Sequence, residues 1–298
     1  MRESMMTSVG NYRFHSCRWD CRWGCRRENA EGGPLPLLLL HGFMGCGEDF
    51  AAVVQCLGRL PGDLDIYAFD IYALDLPGHG QTRLENSHQL TDYGMAETAQ
   101  GVRGWTQRIQ PGPWAIAGYS MGGRLALYLA AHFPEVFPVT VAIAASPGLE
   151  RQGDRDKRQA LDHQRALTLD ASKTPEQFEQ FLERWYQMPL FSNLATHPNF
   201  ATMLTRRRRN NPQHLAHSLR YLGLGQQPFL TPALARYPVQ LRLVVGEYDR
   251  KFIGLNQAIA RQCPRAQLTL IPNSGHTIPL ENPTALAQVF ADTLAAAI

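Results

Sequence analysis

Gly118-Tyr119-Ser120-Met121-Gly122 follows an apolar run, Trp114 to Ala117, and precedes an apolar helical pattern, Leu125 to Ala131. A G-x-S-x-G pentapeptide between a strand and a helix reads as a nucleophile elbow. The bend is so tight that glycines two residues either side of the serine are needed to remove side chains that would clash. The serine is then held out where a substrate reaches it. Alone, the pentapeptide is a weak signal, because glycine and serine are common in loops. Its weight comes from the rest of the chain.

From Pro34 onward apolar runs recur at 35 to 40, 66 to 74, 114 to 117, 139 to 145, 241 to 245 and 268 to 271, most of them followed by helical patterns. Strands alternating with helices predict an α/β fold with a mainly parallel, twisted sheet flanked by helices. The segment from Pro147 to about Pro232 has no strand pattern and several amphipathic stretches, among them Pro175 to Tyr186 and Gln213 to Leu222. It reads as a helical cap over 147–232, inserted into a core made of 34–146 and 233–298. Residues 1–33 stand apart as an atypical lead-in in which Cys17, Cys21 and Cys25 alternate with arginines. On a helix these cysteines would share a face and suggest a metal cluster, but no fourth ligand sits at a suitable spacing. Tyr12 to His15 looks instead like an opening edge strand, and no metal site is expected. Asp65-Ile66-Tyr67-Ala68-Phe69 is nearly repeated by Asp70-Ile71-Tyr72-Ala73-Leu74. The second copy is expected to be the strand, because an odd insertion within one strand would reverse its faces.

A chain of 298 residues can bury one large core. Its 29 basic and 26 acidic residues leave a net charge of +3, too slight to imply a nucleic-acid partner. The apolar runs fall far short of the roughly 20 residues that span a bilayer, so no stable membrane association is expected. The first ten residues lack a secretory signal pattern, which predicts a cytoplasmic protein. Six cysteines do not suggest a disulfide scaffold. Nothing demands a cofactor or a second subunit, and a monomer is expected.

A serine hydroxyl becomes reactive when an imidazole takes its proton, and that imidazole needs a carboxylate to fix its tautomer. Gly246-Glu247-Tyr248-Asp249 follows one apolar run, and Asn273-Ser274-Gly275-His276 follows the last. Both are loops at strand C-terminal ends, where open α/β sheets place their ligands. The order Ser120, Asp249, His276 is that of the α/β-hydrolases. Glu247 is a rival acid, expected to be the more buried of the two. Asp249 also reads as a helix N-cap and His276 as a packing residue in a turn. Two backbone N–H groups should face a developing oxyanion: that of Met121, at the helix start, and that of Phe43, in the turn His41-Gly42-Phe43-Met44-Gly45.

Arg124 stands one helical turn after Ser120, within reach of the same cleft. Arg206 to Arg209 and the Asp154 to Arg158 region add cations to the cap. Most such charges are solvated, yet a polyanionic substrate would use several, since a guanidinium donates two parallel hydrogen bonds to a carboxylate.

Several strings together carry a more specific signal. Tyr119-Ser120-Met121-Gly122-Gly123-Arg124, Trp185-Tyr186-Gln187-Met188-Pro189-Leu190-Phe191 and Gly246-Glu247-Tyr248-Asp249-Arg250-Lys251-Phe252 are the most particular. Asp75-Leu76-Pro77-Gly78-His79-Gly80, Pro147-Gly148-Leu149 and Ser274-Gly275-His276 accompany them. From about Leu35 to its end the chain resembles the 2-succinyl-6-hydroxy-2,4-cyclohexadiene-1-carboxylate synthases, lyases of menaquinone and phylloquinone biosynthesis on an α/β-hydrolase fold. The resemblance implies a substrate with three carboxylates and an enolpyruvyl ether, from which pyruvate is eliminated without water. Ser120, activated by His276 and Asp249, would act as the base, with Phe43 and Met121 N–H groups stabilising an enolate. It carries the substrate-binding roles over to Arg124, Arg158 and Arg207 and to the pocket aromatics Tyr119 and Trp185, with the register through Arg206 to Arg209 open by one residue. Trp185 could equally be cap core, and Tyr119 could merely pack beside the elbow. The long start and the 65–74 duplication depart from the family pattern.

Two other readings stay open from sequence. One is a hydrolase of carbon–carbon bonds or esters with an acidic substrate, using the same three residues and water. The other is a noncatalytic binding protein on this fold, which the complete Ser120, Asp249 and His276 set argues against.

Overall fold

The computed structural model describes residues 2–20, 35–60, 70–85, 90–236 and 240–296. Among them the strands are β1 Arg2–Val9, β2 Tyr12–Asp20, β3 Leu37–Leu40, β4 Asp70–Leu74, β5 Arg83–Leu84, β6 Ala115–Tyr119, β7 Val139–Ile143, β8 Gln240–Gly246 and β9 Ala266–Ile271. They form one sheet in the order β1-β2-β4-β3-β6-β7-β8-β9, with β5 paired to β2. From β4 to β9 every neighbouring pair is parallel. The chain has the α/β-hydrolase fold.

Leucines at all four positions of β3 are buried, as a central parallel strand covered on both faces requires. Leu37 and Leu39 pack with α1 (Ala51–Leu57) and α11 (Pro283–Ala295). Leu38 and Leu40 pack on the other face with α2 (Met95–Ile109) and α3 (Met121–His132). The sheet thus separates two apolar layers, and its strand ends are held rigidly for the loops that follow. Asp70–Leu74 forms β4 in register with β3, Leu37 opposite Ile71, so the second copy of the repeat is the strand, as expected; the first lies outside the described residues.

The N-terminal segment differs from expectation. The edge strand is β1, and β2 lies inside it, paired antiparallel to both β1 and β4. Residues 2–20 of the lead-in therefore pair into the main sheet. The physical reason is alternation: Phe14 is buried on one face of β2 and Cys17 on the other, which a strand allows and the pull of arginine and cysteine in the sequence hid. Cys17 lies on a strand, not a helical face; Cys21 and Cys25 lie outside the described residues.

Between β7 and β8 come α4 (Gln152–Ala171), α5 (Pro175–Tyr186), α6 (Phe200–Arg207), α7 (Pro212–Tyr221) and α8 (Thr231–Arg236). Thr174 and Gln177 form a capping box at the start of α5, and Asn211 caps α7. Proline follows each cap, where its missing N–H costs nothing. Ala166, Leu169, Phe178, Phe181, Leu215 and Leu219 join these helices over Met44, so this layer is seated on the turn after β3. After β8 come α9 (Arg250–Gln262) and α10 (Ile278–Glu281). No helix of the described residues is long and apolar enough to cross a membrane.

Candidate active site

Ser120 joins β6 to α3 with φ 51° and ψ −105°, a left-handed bend that its backbone N–H secures by donating to Ile143 O at 2.8 Å. The flanking glycines are required by contact. A Cβ on Gly118 would lie 2.2 Å from Gly122 O, and one on Gly122 would lie 2.2 Å from Leu40 O. Both obstacles are backbone, so neither can move aside cheaply. Gly122→Ala is expected to destabilise the fold by about 1–3 kcal/mol, read as a lower thermal midpoint.

His276 Nε2 lies 3.1 Å from Ser120 Oγ, and its Nδ1 lies 2.7 Å from Asp249 Oδ2. Asp249 and His276 are buried, so water does not compete for these bonds. Asp249 is also the N-cap of α9, its Oδ1 accepting from Phe252 N–H. The N-cap pins the carboxylate that orients the imidazole. Phe252, Tyr119 and Phe191 surround the ring, Phe252 at 4.7 Å between centroids. Glu247 does not compete: contrary to expectation it is exposed, because it sits past the strand end, and its Oε2 accepts from Asn273 N–H.

Glu281, which sequence motifs missed, clamps the histidine loop by accepting from Gly275 and Thr277 N–H at 3.1 and 2.8 Å. Its carboxyl is pushed up by burial. Only the placement of α10 beneath the loop reveals it.

Met121 begins α3, where backbone N–H groups lack intrahelical partners. Phe43 lies in the turn after β3, closed by Gly45 N–H donating to Gly42 O. Leu76 N–H donates to His41 Nε2, so His41 Nδ1 carries its proton toward Gly42 O at 2.8 Å. Burial lowers the pKa of His41, keeping this brace neutral. Tyr119 packs against the same turn: a Cβ on Gly42 would meet its ring at 2.7 Å, and its hydroxyl donates to Thr277 Oγ1 at 3.1 Å. It therefore ties the two loops together, and burial pushes its phenol up.

Ser120, Phe43, Met121, Tyr119 and His276 line a cavity of about 800 Å³, together with Arg124, Arg158, Arg165, Trp185 and Arg207. Arg124 is buried and donates to Leu222 O at 2.9 Å and to Gln227 Oε1 at 3.3 Å. Among the described residues it has no carboxylate partner. Burial, and then the neighbouring Arg158 charge, pull its pKa down to about 9, with Asp162 partly opposing. At neutral pH it is an uncompensated buried cation, an arrangement that calls for an anion.

Arg158 Nε donates to both oxygens of Asp162 at 2.9 and 3.0 Å. Arg165, two turns further along α4, reaches the same carboxylate at 3.9 Å and lies over the Trp185 ring at 5.2 Å. Burial, then Arg158, lower the pKa of Arg165. Sequence reasoning missed Arg165; its seven-residue spacing from Arg158 on one helix was the available signal. Arg124, Arg158 and Arg165 in the cavity wall thus share the one nearby carboxylate of Asp162. Trp185 belongs to both readings made of it, since it packs on Phe181 within the helical layer and on Phe43 at the cavity, at 5.8 and 5.1 Å.

Arg207 differs from the others. It lines the cavity but is bound to Asp49 by NH1 at 3.0 Å and NH2 at 2.7 Å, and its Nε donates to Tyr186 OH. Burial opposes its charge, yet Asp49 overrides this and raises its pKa. Arg206 shares Asp49 at 3.2 Å, and Arg208 pairs with Glu179. The charge of Arg207 is therefore largely spent inside the protein. Asp49→Asn should strand Arg207 and cost about 3 kcal/mol at neutral pH. Burial would raise the Asp49 pKa, but Arg207 lowers it below the usual value. Its stabilisation is therefore whole above about pH 4, the unfolded value, and is lost as pH falls through the lower folded value. Urea unfolding at pH 7 and pH 3 checks both.

The chain matches the model of the Alpha/beta hydrolase family over residues 37–289. It is 32% identical over 256 residues to 2-succinyl-6-hydroxy-2,4-cyclohexadiene-1-carboxylate synthase of Photorhabdus laumondii, covering 85% of this chain and 83% of that protein. It is 29% identical over 269 residues to the chloroplastic protein PHYLLO of Arabidopsis thaliana, a match that covers 86% of this chain but spans only 15% of that protein's length. Among solved structures, MenH from S. aureus aligns with a TM-score of 0.81 at 24% identity, over 97% of this chain and 99% of that one. With the family model and the Photorhabdus relative both spanning most of its length, this chain belongs to the 2-succinyl-6-hydroxy-2,4-cyclohexadiene-1-carboxylate synthase family, on the α/β-hydrolase fold.

Proposed function

We propose that this protein eliminates pyruvate from 2-succinyl-5-enolpyruvyl-6-hydroxy-3-cyclohexene-1-carboxylate, leaving 2-succinyl-6-hydroxy-2,4-cyclohexadiene-1-carboxylate. The observation that carries the reading is Arg124: a buried cation without a carboxylate partner, one turn from Ser120 in the wall of the same cavity. A site for neutral acyl chains would gain nothing from that charge. A substrate with three carboxylates supplies what the wall lacks.

Ser120, having given its proton to His276, takes a ring proton. The electron pair of the broken C–H bond moves onto the succinyl ketone as an enolate, toward which Phe43 and Met121 N–H groups donate. Collapse of the enolate breaks the ether C–O bond and releases pyruvate as its enolate, which takes up the proton. No acyl-enzyme forms and no water is consumed. Arg124 and Arg158, with Arg165, orient the carboxylates, while Tyr119, Trp185 and Arg207 shape the cavity and the 147–232 helices serve as its cap. The chemistry is proton transfer by side chains, calling on no metal, organic cofactor or nucleic acid, in a protein that works as a cytoplasmic monomer.

The test is to supply the enolpyruvyl intermediate, made enzymatically, and follow pyruvate beside cleavage of a simple ester. Fast pyruvate release with slow ester cleavage is expected; fast ester turnover without pyruvate would make this a hydrolase. Arg124→Gln, which can still donate to Leu222 O, should lower kcat/KM about 10- to 100-fold, the scale of a hydrogen bond to a charged group.

A further inference from the structure

Far from this cavity, a second serine, histidine and aspartate are joined in series. Ser4 Oγ lies 2.7 Å from His15 Nε2, and His15 Nδ1 lies 2.8 Å from Asp75 Oδ2. Ser4 is on β1 opposite Cys17 of β2. His15 is two residues from Cys17 and so shares its face, making Ser4 and His15 a diagonal cross-strand pair. β1 is the sheet edge, four strands from β6, or roughly 20 Å at the usual strand spacing.

The proton positions follow from the partners of Asp75. Its Oδ1 accepts from Gly47 N–H at 2.7 Å, and its Oδ2 accepts from Gln81 N–H at 2.8 Å. Burial would raise its pKa, but the hydrogen bond from His15, the nearby His41 and these N–H groups hold it below the usual range. An ionised carboxylate only accepts, so His15 Nδ1 carries a proton, and in the singly protonated ring Nε2 is left to accept from the Ser4 hydroxyl. His15 and Asp75 are buried, whereas Ser4 is exposed. The ring is held from behind as well: His15 N–H donates to Thr82 Oγ1, which donates to Asp75 O. Gln81 Nε2 lies 3.3 Å from the same nitrogen, His15 Nε2, so its amide N–H shares that acceptor with the Ser4 hydroxyl.

This is the hydrogen-bond order of a nucleophilic serine, set on an open strand instead of in a cleft. We propose that Ser4 is a second activated nucleophile, distinct from Ser120, that accepts acyl groups from small activated esters. Ser4 Oγ attacks the carbonyl carbon while its proton passes to His15 Nε2, which then no longer accepts from Gln81, and the freed Gln81 Nε2 donates to the developing oxyanion. The ester C–O bond then breaks, the alcohol leaves with the proton from His15, and an ester of Ser4 is formed. On the exposed edge strand nothing among its hydrogen-bond partners is left to activate water, and the acylated serine persists as a modified residue.

The experiment uses full-length Ser120→Ala protein, so that the first serine cannot contribute, treated with p-nitrophenyl acetate and mapped by peptide mass spectrometry. Ser8, exposed on the same strand, is the internal control. Acetylation of Ser4 at least about tenfold faster than Ser8, and slowed about 100-fold by His15→Gln as for loss of a positioned base, is the expected result. Equal labelling of Ser4 and Ser8, no labelling of Ser4, or Ser4 labelling unaffected in a folded His15→Gln protein would overturn the proposal. Should circular dichroism show His15→Gln to be unfolded, the Ser4 to Ser8 ratio in the Ser120→Ala protein decides.

Discussion

Replacing Ser120 by alanine is expected to lower kcat for pyruvate release at least about 100-fold, the scale of losing a positioned general base. The hydroxyl is the group that His276 Nε2 addresses at 3.1 Å, and no other side chain oxygen is bonded to that nitrogen among the described residues. Alanine accepts the same backbone bonds, so the elbow should persist and circular dichroism should be unchanged. KM should change little, because Arg124, Arg158 and Arg165 stay in the cavity wall. Stopped assays of pyruvate against substrate concentration separate the two constants. Normal elimination by Ser120→Ala would remove the proposed chemistry altogether.

Asp249→Asn should lower kcat by about 100- to 10,000-fold while leaving the fold intact. The carboxylate does two jobs through different oxygens: Oδ1 caps α9 through Phe252 N–H, and Oδ2 accepts from His276 Nδ1. Asparagine keeps an oxygen for the cap, and asparagine and aspartate are comparable N-caps. Its amide nitrogen then faces Nδ1 as a donor and favours the tautomer whose Nε2 carries a proton, which cannot take one from Ser120. Thermal unfolding within a degree or two of the unaltered protein, beside collapsed kcat, is the expected pair of results. A parallel loss of stability would mean that the cap, not the tautomer, is what was removed.

The parts of the site that could be read from the chain are those where one residue answers to its immediate neighbours. The glycines of the elbow are demanded by backbone atoms two to four residues away or on the adjoining strand end, and the Ser120, Asp249, His276 order is a linear property. The fully apolar β3 and the β-branched, fully buried β7 likewise declare themselves, because a strand buried on both faces needs no partner to explain its composition. The N-terminal hairpin was harder: two arginines and a cysteine on β2 mask an alternation that becomes plain only with β1 and β4 on either side.

Charge pairing lay beyond the sequence, because it is settled between residues remote in the chain. Arg207 and Asp49, 158 positions apart, neutralise each other, and nothing in the run Arg206 to Arg209 distinguishes the arginine that is spent from one that is free. Arg124 and Arg207 look alike as letters, and burial beside a carbonyl or beside a carboxylate makes one a site for anions and the other a structural pair. The Ser4, His15 and Asp75 series has no linear motif at all, since its members meet across a hairpin and a strand. By itself, then, the sequence determined the fold, the elbow that exposes Ser120 and the loop that carries His276, through local steric and periodic demands. Only the tertiary structure decided which acid serves the histidine and which cations keep a net charge, because electrostatic energy depends on distance and burial, and neither is a property of a chain before it folds.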